Sequence, residues 1–184
     1  MNMQLEYPSQ FPILTTGRLI LRKLELNDAA EIMKLRSDER VNQYLDRPKS
    51  INIDEAIEFI NKITNNIKNE ESYYWVICLR NDYKLAGTMC LWNIDKDNSR
   101  IEVGYELLPD FQGKGLAHEA LSKIIDYGFD VLQFKTMVAY PHRDNERSIN
   151  LLVKNNFRRD TALEDEFYKN EPGAKEVIFS LQSP

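Results

Sequence analysis

Tyr105-Glu106-Leu107-Leu108-Pro109-Asp110-Phe111-Gln112-Gly113-Lys114-Gly115-Leu116-Ala117 is the stretch on which the reading of this chain turns. Before it, Arg100 to Leu108 reads as a strand. After it, apolar residues recur at helical spacing: Leu116, Ala120 and Ile124, flanked by Leu121, Ile125 and Phe129. A strand therefore feeds a tight glycine-containing loop that opens a helix. The first amides of a helix lack internal acceptors and stand at the positive end of its dipole, so such a turn can hold phosphate oxygens. Gly113 and Gly115 allow close backbone approach, Lys114 adds a point charge, and Ala117 keeps the first turn small.

Upstream of the turn the period is that of strands. Tyr73 to Leu79 and Lys84 to Trp92 are rich in aromatic and β-branched residues, with Asn81-Asp82 as the turn between them. Asp95 to Ser99 supplies the next turn, so these runs and Arg100 to Leu108 form an antiparallel meander. Earlier still, Arg18 to Leu24 alternates as an opening strand. Asn27 or Asp28 caps a helix over Ala29 to Arg36, a short helix follows from Glu39 to Leu45, and Asp54 starts an amphipathic helix through Ile57, Ile60, Ile63 and Ile67. Downstream come a strand over Lys135 to Tyr140 and a helix capped by Asp144 or Asn145, with Ile149, Leu152 and Val153 inward. Strands at Phe157 to Asp160 and Glu176 to Leu181 close the chain, and Glu164 to Ala174 stays unassigned. The order β-α-α-β-β-β-α-β-α-β-β predicts a mixed α/β (α+β) fold, antiparallel first and with helical crossovers later. No repeat or linker divides it, so a single domain over 1–184, with its core from about 16 to 182, is expected.

The net charge of -5 argues against nucleic acid as the main ligand, because phosphate neutralisation needs a basic surface. No apolar run approaches the roughly 20 residues that span a bilayer, and Met1 to Phe11 lacks the order of an export signal. A cytoplasmic protein with no membrane partner is expected. Cys78 and Cys90 read as free buried thiols, and with two histidines they match no zinc spacing, so no metal is expected.

Three phosphate-loop patterns compete for the glycine turn. A P-loop needs an upstream glycine and a Ser or Thr after Lys114, and neither is present. A Rossmann fingerprint needs a third glycine where His118 stands, after a parallel strand. The remaining pattern, Gln-x-x-Gly-x-Ala, is the pyrophosphate signature of the GNAT N-acetyltransferase superfamily, which the sequence resembles along nearly its whole length. Leu14-Thr15-Thr16-Gly17-Arg18-Leu19-Ile20-Leu21-Arg22 resembles the start of its ribosomal-protein (RimJ/RimL-type) branch. Gly104-Tyr105, Asn145-Glu146-Arg147-Ser148 and Asn155-Asn156-Phe157 resemble it too.

The resemblance implies the GNAT fold: a mostly antiparallel sheet of six to seven strands, flanked by helices and splayed between the strand ending at Leu108 and Lys135 to Tyr140. It implies acetyl-CoA as co-substrate, with its diphosphate on the amides of Gln112, Gly113, Lys114, Gly115, Leu116 and Ala117. Pantetheine would lie along Leu107 and Leu108 and be held by Asn145, and the Leu108 amide would serve as oxyanion donor. The acceptor amine attacks the thioester directly in a ternary complex, so a base must take its proton. Glu102 matches the superfamily's usual glutamate. Strand alternation puts Glu102, Gly104 and Glu106 on one face, which makes Glu106 the second candidate; a solvated strand carboxylate is the plain alternative for either.

Many members carry a tyrosine seven residues after the asparagine as general acid, and here that position is Leu152. The ribosomal-protein branch uses a serine instead, where Ser148 stands. A thiol with a pKa of about 8.5 leaves as thiolate with little help, so a hydrogen bond from Ser148 would suffice. Without the resemblance, helix capping accounts for Asn145 and Ser148 equally well. His118 is either a phosphate ligand or an exposed helix residue, His142 has no assigned role, and Trp75 and Trp92 are core or acceptor-pocket wall. For the acceptor, the branch implies a protein N-terminal amine. A small amine (polyamine, amino acid or aminoglycoside) or a non-catalytic acyl-CoA-binding module stays open. Acceptor selection is expected in the helices from Ala29 to Lys68 and in Glu164 to Ala174, where Glu164, Asp165 and Glu166 either attract a cation or form an acidic surface turn. Dimers are common in the family.

Overall fold

The computed structural model of the chain describes residues 10–49 and 52–184. The reading of Met1 to Phe11 as free of an export signal falls, for residues 1–9, outside that range. Among the described residues the strand-forming runs pair into one sheet: β1 (Leu14–Thr15), β2 (Leu19–Lys23), β3 (Tyr73–Leu79), β4 (Asp82–Asp95), β5 (Arg100–Leu107), β6 (Thr136–Ala139), β7 (Arg158–Arg159) and β8 (Phe179–Gln182). Their order is β1-β2-β3-β4-β5-β6-β8-β7, antiparallel at every step except β5–β6, which is parallel. The count is eight rather than six to seven. The extra strand is β1, whose two residues are too few to show alternation.

Among the described residues six α-helices surround the sheet: α1 (Ala29–Ser37), α2 (Glu39–Asn42), α3 (Ile53–Lys68), α4 (Leu116–Asp126), α5 (Glu146–Lys154) and α6 (Thr161–Asn170). A π-helical turn, Tyr127–Val131, prolongs α4. The pleat sends alternate side chains of each strand to opposite layers. On one face Leu21, Trp75, Ile77, Ile101 and Val103 pack with Leu116, Ala120 and Ile124 of α4 and Leu152 of α5. On the other, Tyr74, Val76 and Cys78 pack with Ile32 and Leu35 of α1 and Ile60 and Ile67 of α3. Full burial of each such side chain stabilises by about 1.5–3 kcal/mol, so both layers hold the sheet between them.

Two expectations change at the helices. Val153 is 54% exposed, because it lies about 100° around α5 from the buried Leu152. The unassigned stretch is mostly helix: α6 starts at Thr161, where the Asp160 carboxylate accepts from the Leu163 amide at 3.1 Å.

The parallel pair is short. It matches Arg100 with Thr136, Ile101 with Met137 and Glu102 with Val138, and stops there. β5 continues to Leu107, whereas β6 stays with β8 through Ala139 and Phe179. The two strands therefore part beyond Glu102, leaving one backbone edge of β5 open toward the start of α4. None of the described helices is long and apolar enough to cross a membrane.

Candidate active site

The turn at the open end of the splay is built for backbone donors. Gly113 and Gly115 both sit at φ 74°, in the left-handed region that side chains rarely adopt, and Gly115 is the N-cap of α4. The first helical hydrogen bond runs from the Glu119 amide to the Gly115 carbonyl at 3.1 Å. Among the described residues nothing accepts from the amides of Gly113, Lys114, Gly115, Leu116, Ala117 or His118, so the whole run is free to receive an anion. The Gln112 amide is not part of it, because it donates to the Pro109 carbonyl at 3.1 Å within the 3-10 turn Pro109–Phe111.

An unforeseen brace holds this turn. Arg18, in the β1–β2 hairpin, donates through Nη1 to the Lys114 carbonyl at 3.0 Å and through Nε to the Glu119 carboxylate at 2.6 Å. The Arg18 amide and the Thr16 hydroxyl donate to the same carboxylate. Burial raises the pKa of Glu119, but these donors outweigh it and hold the pKa below the usual carboxylate range. The Arg18 guanidinium thereby fixes the Lys114 peptide plane with its carbonyl turned away from the anion site.

Along β5 the hydrogen-bonding phase decides which backbone groups face the splay. The Leu108 amide donates to the Ala86 carbonyl at 2.9 Å, so it is occupied and cannot act as the oxyanion donor. In an antiparallel ladder the bonded residues alternate, so Gly104 and Glu106 also face β4. Tyr105 and Leu107 then point their N–H and C=O groups to the open edge. The Leu107 carbonyl accepts from Gln112 Nε2 at 2.9 Å, and Gln112 Oε1 accepts from Arg147 of α5 at 3.1 Å. Gln112 thus joins the two sides of the opening through its side chain rather than its amide.

The two carboxylates on the α1–α3 face differ sharply. Glu106 is held by both terminal nitrogens of the Arg47 guanidinium, at 2.5 and 2.6 Å, and Arg47 Nε donates to Asn42. One lone pair on each of its oxygens is engaged in this part-buried bidentate pair, so Glu106 is less open to a substrate proton than Glu102. Among the described residues Glu102 accepts only one hydrogen bond, from Asn93 Nδ2 at 3.2 Å, and burial pushes its pKa up to about 7 despite that bond. That is where a general base for neutral pH belongs. Beside it, a Cβ on Gly104 would stand 3.1 Å from Cys90 Sγ and 3.8 Å from Trp92 Nε1, so the glycine keeps the floor next to Glu102 low. Trp92 is 47% exposed and is the cross-strand partner of Glu102, whereas Trp75 is core.

On the opposite face stands Ser148. Asn145 is the N-cap of α5, its Oδ1 accepting from the Ser148 amide at 3.1 Å, which leaves its Nδ2 to donate outward. The Ser148 hydroxyl lies 2.8 Å from the hydroxyl of Tyr105, a residue that the Gly104-Tyr105 match marked without giving it a role. Leu152 is fully buried and supplies no acid. The remaining candidates fall away from the chemistry. His118 is not an exposed residue, since its Nδ1 is shut off from solvent and has no partner among the described residues. His142 packs on Tyr44, with ring centroids 5.3 Å apart, and accepts from the Asp144 amide. Cys78 and Cys90 are free thiols, and burial pushes the pKa of both up. Glu164 is buried, bound by Arg159 and by the Ile178 amide at 2.8 Å, so it braces α6 and presents no acidic surface. Among the described residues no cluster of His, Cys, Asp or Glu could hold a metal ion.

The chain is similar to known proteins in sequence and in fold. Residues 18–158 match the acetyltransferase (GNAT) domain. An uncharacterised N-acetyltransferase of Bacillus subtilis is 32% identical over 174 residues, which cover 95% of this chain and 98% of that one. Ribosomal-protein-S5-alanine acetyltransferase from Vibrio fischeri has the same fold at 20% identity and a TM-score of 0.75, covering 93% of this chain and 96% of its own. Spermidine N-acetyltransferase from Vibrio cholerae, solved with CoA and spermine, superposes at a TM-score of 0.73 with 20% identity, covering 91% and 96%.

Proposed function

The chain belongs to the GNAT acetyltransferase family, and on that premise we propose that it transfers the acetyl group of acetyl-CoA to the α-amine of a protein N-terminus in the cytoplasm. The observation that carries this reading is the run of free amides from Gly113 to His118 at the open end of the splay. Those amides, with the dipole of α4 behind them, fit a diphosphate, and the unpaired edge of β5 fits a pantetheine lying alongside it as an added strand. The Leu107 amide, which faces that edge, takes the oxyanion role from Leu108.

The sheet separates the two ends of the reaction. Glu102 lies on the α1–α3 face and receives the proton of the incoming ammonium, directly or through a water. The neutral amine then forms its N–C bond as the C–S bond breaks, and the acylated nitrogen gives its second proton to water. Ser148, on the α4–α5 face, donates a hydrogen bond to the departing sulfur, which leaves as thiolate and takes its proton from solvent. Direct attack needs no group on the protein to carry the acetyl, and the raised pKa of Cys90 and Cys78 agrees with that.

The N-terminal acceptor rests on the motif resemblance at Leu14 to Arg22 and at Asn145 to Ser148. A small cationic amine is the second reading, favoured by the fold shared with the spermidine enzyme. Thiol release from acetyl-CoA, followed across peptides with free N-termini, polyamines and aminoglycosides, tests both. Release with peptides that stops when their N-termini are blocked is the expected result. Release with polyamines alone would move the assignment to the second reading, and CoA binding with no acceptor-dependent release would contradict both.

A further inference from the structure

We propose that Tyr105 is a positioning residue for the leaving group, aiming the Ser148 hydroxyl at the departing sulfur by donating its own O–H to Ser148 Oγ. The inference rests on the acetyltransferase reading and deepens it. Tyr105 leaves β5 on the α4–α5 face, the face opposite Glu102, and its hydroxyl lies 2.8 Å from Ser148 Oγ and 3.4 Å from the Ser148 carbonyl. Either hydroxyl can donate in that pair, and the direction matters. If Ser148 donates to Tyr105, its only proton is spent inside the protein. If Tyr105 donates, the Ser148 proton is free to point elsewhere, and its oxygen is polarised toward giving it.

A phenol is a stronger acid than an alkyl hydroxyl, which favours the second direction, and the surroundings place the pair for it. Asn145 Oδ1 already caps the Ser148 amide, which pins the first turn of α5 and with it the Ser148 backbone. Tyr105 springs from the stretch of β5 whose backbone edge faces the splay, next to Leu107, so the pair of hydroxyls flanks the place where a thioester would sit. The position seven residues after Asn145 is the buried Leu152, so a hydroxyl for the sulfur must come from another element, and the Tyr105–Ser148 pair supplies one. Burial pushes the Tyr105 pKa up to about 12, its bond to Ser148 notwithstanding, so the phenol keeps its proton and acts as a fixed donor. No proton passes through the tyrosine: the thiolate is stabilised by one hydrogen bond and is protonated by water after release.

Tyr105→Phe removes one hydroxyl and keeps the ring in place. Its kcat, its KM for acetyl-CoA and its melting temperature are to be measured alone and combined with Ser148→Ala, using whichever amine the wild type accepts. The expected result is a kcat about tenfold lower, equivalent to roughly 1.4 kcal/mol, with KM changed less than about twofold and melting unchanged. In the Ser148→Ala background the further loss from Tyr105→Phe disappears, because the tyrosine acts only through the serine. An equal loss in both backgrounds, or no loss in either, overturns the proposal. So does wild-type kcat in Ser148→Ala alone, which would remove the serine's part as well. Failure of the acetyltransferase reading is distinguishable from all of these, because the wild type would then release no thiol with any amine.

Discussion

Glu102 and Glu106 leave the same face of β5, one carrying a single hydrogen bond from Asn93 and the other clamped by Arg47. The difference predicts opposite behaviour. For Glu102, whose pKa is lifted to about 7, activity should rise with pH through that value as the carboxylate forms. Glu102→Gln should lower kcat by about 100-fold or more, leave the Kd for CoA within about threefold, and erase the limb near pH 7 in the rate profile. A profile that keeps that limb in the variant would remove Glu102 as the base. Stability should move the other way. A carboxyl whose folded pKa exceeds its unfolded value of about 4.5 favours the folded state below that value, and this contribution is lost as pH climbs through about 7. Glu102→Gln, which cannot ionise, should therefore melt a few degrees above wild type at pH 8 and match it near pH 4. Equal melting at both values would contradict the raised pKa. Glu102 and Ser148 could be named from the sequence because the superfamily motif marks their positions. The pairing of Arg47 with Glu106 could not, since it joins residues from a loop and a strand that only the fold brings together.

Secondary-structure elements carry the proposed cofactor site, and their ends were the most readable part of the chain. The apolar period from Leu116 and the glycines at 113 and 115 announce the start of α4, and the structure keeps both. What the pattern could not give was phase: whether Leu107 or Leu108 turns its amide to the open edge depends on a one-residue choice that alternation leaves undetermined. α6 escaped notice for another reason. The buried residue in it is Glu164, and a carboxylate held by Arg159 and the Ile178 amide looks polar to any hydrophobic count. Glu164→Ala should cost about 2–4 kcal/mol in denaturant unfolding, because it strands the Ile178 amide, while CoA binds as before. Weakened CoA binding without a stability loss would contradict a purely structural role. At α4 the prediction is reversed. Arg18→Ala frees the Lys114 carbonyl and should raise the Kd for CoA about tenfold, equivalent to roughly 1.4 kcal/mol. Unchanged affinity would show that the turn keeps its shape without the brace.

At the scale of the molecule the decisive feature is a parallel strand pair that stops after three residue pairs, Arg100 to Glu102 against Thr136 to Val138. The meander before it and the crossovers after it follow from the order of strand and helix periods, so the mixed sheet was legible. The eighth strand and the extent of the splay were not, because short edges and partings leave no periodic trace. The parting opens a gap with Glu102 on one side of the sheet and Ser148 on the other, and ends at the six free amides from Gly113 to His118. Titration of the isotopically labelled protein with CoA, followed amide by amide in NMR, tests that arrangement most directly. The amides of Gly113, Lys114, Gly115, Leu116 and Ala117 should show the largest shifts, and pantetheine, which has no diphosphate, should leave them in place. CoA binding that shifts other amides and spares these, or identical shifts with pantetheine, would contradict the account.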